Sequence, residues 1–179
     1  MLKFRKLSAH DLELLRRWRM SPSVTKYLLT DPTITEEEQK TWFKNVKDGN
    51  RYRCWIANYD GADIGFVTLS KIDWDNYNAD PGMYICEEKY IGVGLAKPMM
   101  HSLLRYAFEI MDMRKVFGPI LVSNASAVAA YIKAGFKIEG YFRDHVYKND
   151  IFHDVVMVAI TSYDWHIMRK IPAVEFEEY

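Results

Sequence analysis

Gly92-Val93-Gly94-Leu95-Ala96, followed at once by Lys97-Pro98-Met99-Met100, is the stretch on which the reading of this chain turns. Before it stands a short strand-like segment, Gly82-Met83-Tyr84-Ile85. After it, Lys97 to Met111 reads as a helix with Met100, Leu103, Leu104, Ala107 and Phe108 on one side. Small residues at 92, 94 and 96 let the backbone turn tightly and approach a ligand closely. A helix start leaves N–H groups unpaired and carries the positive end of the helix dipole, so the turn suits a phosphate or pyrophosphate. Pro98, in the first helical turn, gives up only an N–H that would lack a partner anyway. Taken alone, the pattern is also that of a bare strand-to-helix turn. The dinucleotide-fold and P-loop readings fail, because no βαβ unit with Gly-x-Gly-x-x-Gly opens the chain and no Gly-Lys-Ser/Thr follows.

A second motif lies about thirty residues on: Asn124-x-x-Ala127-x-x-x-Tyr131-x-x-x-Gly135-Phe136. Asn124 is placed to cap a helix on which Ala127 and Tyr131, four apart, share a face. Gly135 sits where a left-handed helix end belongs, and Phe136 starts the next strand. Working outward, Leu2 to Leu7 alternates as a half-buried strand. Ser8 with Asp11 opens a helix carrying Leu12, Leu15 and Trp18, which Ser21-Pro22-Ser23 ends. Thr35 with Glu38 opens another, carrying Trp42, Phe43 and Val46. Tyr52 to Tyr59 and Ile64 to Ile72 form a hairpin through Asp60-Gly61. Asp73 to Asp80 is polar and turn-rich. Val116 to Val122 is strand-like, with Gly118-Pro119 marking a bulge or an edge. Ala125 to Ala134 is a short helix, and Phe136 to Val146 with Ile151 to Ile160 make a hairpin about Lys148-Asn149-Asp150. The order is β-α-α-β-β-β-α-β-α-β-β, one α+β domain over residues 1–168, with 169–179 as a loose acidic tail.

Composition narrows the function. The chain has 179 residues, 49% apolar and 27% charged, with 24 Lys+Arg against 24 Asp+Glu. Zero net charge excludes a globally basic nucleic-acid binder. Cys54 and Cys86 lie far from each other and from any metal-ligand spacing, which excludes a disulfide scaffold and a zinc ribbon. No metal site is expected. No apolar run approaches the roughly 18 residues of a membrane span. Residues 1–6 turn polar at once, without a signal-peptide core, so the cytoplasm is the expected compartment.

Together the two motifs resemble those of the GCN5-related N-acetyltransferase (GNAT) superfamily, whose members move acetyl from acetyl-CoA to an amine. The family's turn is usually Arg/Gln-x-x-Gly-x-Gly/Ala; Gly94 and Ala96 match it, while Ile91 replaces the usual polar residue. The resemblance spans about residues 2–165. It implies an acyl-CoA N-acyltransferase fold with a mixed, mostly antiparallel central sheet flanked by helices. It also implies that the amides of Val93, Gly94, Leu95, Ala96 and Lys97 hold the CoA pyrophosphate and that Asn124 meets the pantetheine arm. Tyr131 would then be the general acid that protonates the departing thiolate. Asp80 is the first candidate for the base; Glu87, Glu88, His145 and His153 rank below it.

The segments Leu15-Arg16-Arg17-Trp18-Arg19-Met20, Trp42-Phe43 and Glu139-Gly140-Tyr141-Phe142 look like the RimJ/RimL-type branch. Within it the Trp18-Arg19-Met20 segment and the following Trp42-Phe43 helix are most similar to the aminosugar-nucleotide N-acetyltransferases of the pseudaminic-acid pathway. That similarity implies a UDP-linked amino-dideoxy sugar as acceptor, with Arg19 (or Arg16 or Arg17) at a diphosphate and Trp18, Tyr27, Trp74 or Trp42 stacking on base or sugar. Polyamine acetylation, drawing on Asp73, Asp75, Asp80, Glu87 and Glu88, and acetylation of a ribosomal-protein N-terminus stay open. So does a non-catalytic CoA-binding domain. A homodimer is compatible with the resemblance.

Overall fold

Seven strands form one sheet in the order β1-β2-β3-β4-β5-β7-β6. A computed structural model describes residues 1–168 and Glu177. β1 (Leu2–Lys6), β2 (Arg53–Tyr59), β3 (Ala62–Asp73) and β4 (Asn78–Ile85) make one antiparallel run. β5 (Lys115–Leu121), β7 (Ile151–Thr161) and β6 (Lys137–Lys148) make the other. The runs meet where β4 and β5 pair in parallel, over Asn78 with Lys115 and Ala79 with Val116. Beyond Ala79 the strands part, β4 continuing along β3 and β5 along β7.

The residues at the fork account for it. Pro81 and Pro119 stand just past the last pair, and neither has an N–H to give a ladder. Gly118 has the Asp80 carboxylate beside it: a Cβ there would lie 2.5 Å from Asp80 Oδ1. The Gly118-Pro119 pair thus forms no bulge. It pairs regularly with β7 and is an edge only on the β4 side.

The β2–β3 and β6–β7 hairpins are each closed by two residues in left-handed conformation, Asp60 (φ 50°) with Gly61 (φ 87°) and Asn149 (φ 52°) with Asp150 (φ 61°). That turn matches the twist of the strands it joins. Six α-helices among the described residues complete the fold. α1 (Leu12–Met20) follows a 3₁₀ turn in which Ser8 N donates to Asp11 Oδ2 at 2.8 Å. Ser21 ends α1 as expected, but Pro22 then starts a further single turn, α2 (Pro22–Thr25). α3 (Glu36–Asp48) is held by the Thr35–Glu38 capping box, with Glu38 N on Thr35 Oγ1 at 3.2 Å. α4 (Ala96–Arg105) runs on into a π turn, Tyr106–Ile110. α5 (Ala125–Lys133) is followed after β7 by α6 (Ser162–Met168), which the sequence reading leaves out. The expected loop 73–80 is shorter than read, and Asp80 lies inside β4 rather than before it. The expected tail, 169–179, falls outside the described residues except for Glu177, whose N–H donates to Phe4 O at 3.2 Å.

Both faces of the sheet are covered, and β2 shows the alternation that this requires. Trp55 and Ala57 face the core beneath α4, with Met99, Met100, Leu103 and Leu104. Cys54 and Ile56 face a second core beneath α1 and α3, with Leu15, Val46 and Phe66. Among the described residues no helix is long and apolar enough to cross a membrane.

His101 of α4 packs its ring on Trp165, centroids 4.6 Å apart, with neither ring nitrogen bonded. Burial holds its pKa below the usual imidazole range, and the Lys97 and Arg105 cations add to this while Glu109 opposes it. The folded state therefore prefers neutral His101, and the unfolded chain binds the extra proton. Stability attributable to this residue is full above an unfolded pKa of about 6.5 and is lost as pH falls below it. We expect the melting temperature to fall more steeply between about pH 7 and pH 5 in the native protein than in His101→Phe. Parallel curves in differential scanning calorimetry would show that His101 does not carry the effect.

Candidate active site

A cavity of about 720 Å³ opens where β4 and β5 part. At one end it is walled by Pro81–Tyr84 of β4, Pro119 and Ile120 of β5, and Asn124, Ala127 and Tyr131 around α5. At the other end stand Leu15 and Arg19 of α1, residues of the 27–34 loop, and Glu38, Gln39 and Trp42 of α3.

Tyr131 reaches the cavity because α5 is fixed at both ends. Asn124 Oδ1 accepts from Ala127 N at 3.2 Å at its start. At its end Gly135 (φ 98°) allows Phe136 N to reach Tyr131 O at 3.0 Å and Gly135 N to reach Ile132 O at 3.0 Å. The Tyr131 hydroxyl donates to Pro81 O at 3.1 Å, and its ring packs on Phe136. Burial pushes the phenol pKa up and the nearby Asp80 carboxylate adds to the rise, so the proton is held well beyond neutral pH.

Asp80, the neighbour of Pro81 on β4, also lines the cavity. Its Oδ2 accepts from Lys71 Nζ at 2.8 Å. Burial raises the carboxyl above its ordinary range, while the Lys71 ammonium pulls the other way. Lys71 has φ 50° within an irregularity of β3 between Ser70 and Asp73, which turns it toward Asp80. The sequence reading missed Lys71; its one signal is a lysine at the end of an apolar strand. The site thus brings together a retained phenolic proton and a carboxylate able to accept one.

The glycine turn lies beyond β4, after a 3₁₀ turn, Glu88–Tyr90. Gly92 (φ 80°) and Gly94 (φ 89°) both adopt the left-handed conformation. The N-cap of α4, Leu95, makes no side-chain cap bond among the described residues. The turn does not itself line the cavity. Left-handed glycines before an uncapped helix start are the kind of turn that suits a phosphate.

The expected acceptor residues divide. Arg19 and Tyr27 line the cavity, and so does Trp42, edge-on to Phe66 at 6.2 Å. Arg19 Nη2 donates to Thr30 Oγ1 at 2.8 Å, whereas Nη1 is buried without a partner. Trp18 lies outside the cavity: it is 7% exposed in the second core, because Leu15 and Trp18, three apart on α1, both turn to the sheet. Trp74 is also outside, its Nε1 donating to Asn50 O at 2.9 Å. Arg16 is taken up by Glu13 and by Ile34 O. His145 stacks on Phe142 and His153 bonds Lys148 O, both on the β6–β7 hairpin. Glu87 and Glu88 are exposed beside the 3₁₀ turn, and Asp73 binds the amides of Asp75 and Asn76. Of the carboxylates considered for a polyamine, Asp80 lines the cavity, and Glu38 joins it there.

A family model described as an acetyltransferase (GNAT) domain matches residues 1–137. The chain is 32% identical over 124 residues to a putative ribosomal N-acetyltransferase, YdaF, of Bacillus subtilis, covering 69% of this chain and 67% of that one. It is 25% identical over 160 residues to the spermidine N(1)-acetyltransferase of Vibrio cholerae, covering 89% and 92%. The crystal structure of spermidine N-acetyltransferase from Vibrio cholerae in complex with CoA and spermine superposes with a TM-score of 0.85, at 24% identity over 92% of this chain and 98% of that one.

Proposed function

Because this chain belongs to the acetyltransferase (GNAT) domain family and is an acetyl-CoA-dependent N-acetyltransferase, we propose that its acceptor is a primary amine of an aliphatic polyamine. The observation that carries this reading is the make-up of the cavity wall. Tyr27, Trp42, Tyr52, Phe66 and Tyr84 supply aromatic rings to it, and Glu38 and Asp80 supply carboxylates. An ammonium against such rings is stabilised by roughly 0.5–2 kcal/mol, and the alkyl stretch between amines suits their apolar faces. The relatives that act on spermidine support it.

In this reading acetyl-CoA supplies the activated acetyl group as a thioester. The amides of Val93, Gly94, Leu95, Ala96 and Lys97 hold its pyrophosphate, and Asn124 the pantetheine arm. Asp80 takes the proton that the amine loses. Tyr131, still protonated at neutral pH, donates toward the leaving sulfur.

One observation favours the second reading, a nucleotide-linked amino sugar. Arg19 Nη1 is buried with no acceptor, and a buried donor left so costs about 1–3 kcal/mol. A phosphate or sugar oxygen would meet it, whereas a polycation would be repelled. Thiol release from acetyl-CoA against spermidine, a UDP-linked 4-amino sugar and a ribosomal N-terminal peptide separates the readings, with Arg19→Met beside the native protein. Spermidine is expected to give a kcat/KM at least about tenfold above the others, unchanged or improved in Arg19→Met. Selective turnover of the amino sugar, lost in Arg19→Met, would replace the first reading with the second. Turnover of the peptide alone would overturn both.

A further inference from the structure

We infer that Lys148, at the far tip of the β6–β7 hairpin, is a positioning residue for the acceptor: it anchors the loop that walls the acceptor end of the cavity. This rests on the reading that the amine enters between α1, α3 and the 27–34 loop.

Lysine is seldom fully buried unless its ammonium is engaged, and Lys148 is 7% exposed. Its Nζ donates to Thr25 O and to Leu28 O, across more than a hundred residues of sequence. Thr25 ends α2, and the residues that follow, Tyr27 to Thr30, line the acceptor cavity. Leu29 and Thr30 also line a second hollow of about 410 Å³, whose other wall is Tyr147–Asp150 of the hairpin. The loop is therefore a partition, with the acceptor cavity on one face and the hairpin hollow on the other.

Other side-chain bonds tie it to α1 next door: Arg19 to Thr30 Oγ1, Arg16 to Ile34 O, and Ile34 N to Met20 Sδ. Those bonds let the loop and α1 move together. Lys148 comes from β6 at the opposite edge of the sheet and ties the loop to the other run of strands. The hairpin end is itself well defined, since its turn is closed by Asn149 and Asp150 in left-handed conformation and His153 Nε2 lies 3.1 Å from Lys148 O. Lys148 does not line the acceptor cavity, so its effect on the amine is exerted through the loop.

The test compares Lys148→Met, Lys148→Gln and Lys148→Arg with the native protein, by steady-state kinetics and by amide hydrogen exchange of Tyr27–Thr30. Lys148→Met is expected to raise KM for the amine at least about tenfold, with kcat and KM for acetyl-CoA within about twofold. Exchange across Tyr27–Thr30 should quicken, and Lys148→Arg, which keeps the donors, should recover most of both effects. A general structural role would instead depress kcat and both KM values together, and that result overturns the proposal. Unchanged exchange in Lys148→Met overturns it as well. Quickened exchange with an unmoved amine KM would keep the anchor but place the amine elsewhere, which overturns the acceptor-site reading. If Lys148→Met does not fold, Lys148→Gln, whose amide is one atom shorter in reach and uncharged, is read by the same criteria.

Discussion

Replacing Tyr131 with phenylalanine is expected to lower kcat at least about tenfold, equivalent to about 1.4 kcal/mol of barrier, while acetyl-CoA affinity stays within about twofold. The substitution removes one oxygen. The ring keeps its contact with Phe136, and the bond that disappears is the one to Pro81 O, worth about 0.5–1.5 kcal/mol of stability. A calorimetric melt close to the native one would show that the fold survives. The loss should then fall on the step at which sulfur gains charge. Because burial raises the Tyr131 pKa, the acid form persists beyond the ordinary phenol value of about 10, and no alkaline loss of rate from this residue is expected near neutrality. As the proposed base, Asp80 has the opposite requirement, since a base must be ionised to act. Its raised pKa means that activity falls as pH drops through a value above the ordinary carboxylate range, and Asp80→Asn should remove that acid limb. An unchanged kcat in Tyr131→Phe would eliminate Tyr131 as the acid, whatever the acceptor proves to be.

Features that depend on backbone chirality or on one turn of helix were legible in the sequence. Asp60-Gly61 declares its hairpin because the turn needs φ > 0, and Thr35 with Glu38 declares the start of α3. Tyr131 reads as part of a short helix because Asn124, Gly135 and the spacing between them fix that helix at both ends, while its role as the acid is implied only by the resemblance. What stayed hidden depends on contacts between distant segments. The fork between β4 and β5 needs the partner of each strand to be known, although Pro81 and Pro119 both mark it. Asp80 read as a turn residue because the polar stretch before it masks the beginning of β4. On α1, Trp18 and Arg19 are adjacent in sequence yet face different environments. Choosing between them requires the direction of the sheet beneath, and an aromatic at that helical spacing serves a core as well as a ligand. Lys148 looked like a polar hairpin residue. Its burial follows from the loop of residues 27–30 folding across from the other end of the chain.

Gly94→Val is expected to weaken acetyl-CoA binding at least about tenfold, with little effect on KM for the amine. The reason is conformational, since a Cβ at Gly94 would meet no atom within 4 Å. The residue holds φ at 89°, where an L side chain costs on the order of 1–2 kcal/mol and a β-branched one more. The turn relieves this by rotating, which swings the Leu95 and Ala96 amides away from the position that α4 gives them. Val93 supplies the contrast: its side chain is 58% exposed, so Val93→Ala, which leaves the amide in place, should bind acetyl-CoA as the native protein does. A pantetheine fragment without the pyrophosphate sharpens the comparison. Binding of that fragment should be nearly the same in Gly94→Val and the native protein if, as proposed, the turn meets only the phosphates. Calorimetric titration of both ligands decides the matter. Equal acetyl-CoA affinity in the valine variant would mean that the phosphates are held elsewhere, and equal losses for both ligands would mean that the substitution disturbs the fork in the sheet rather than the turn.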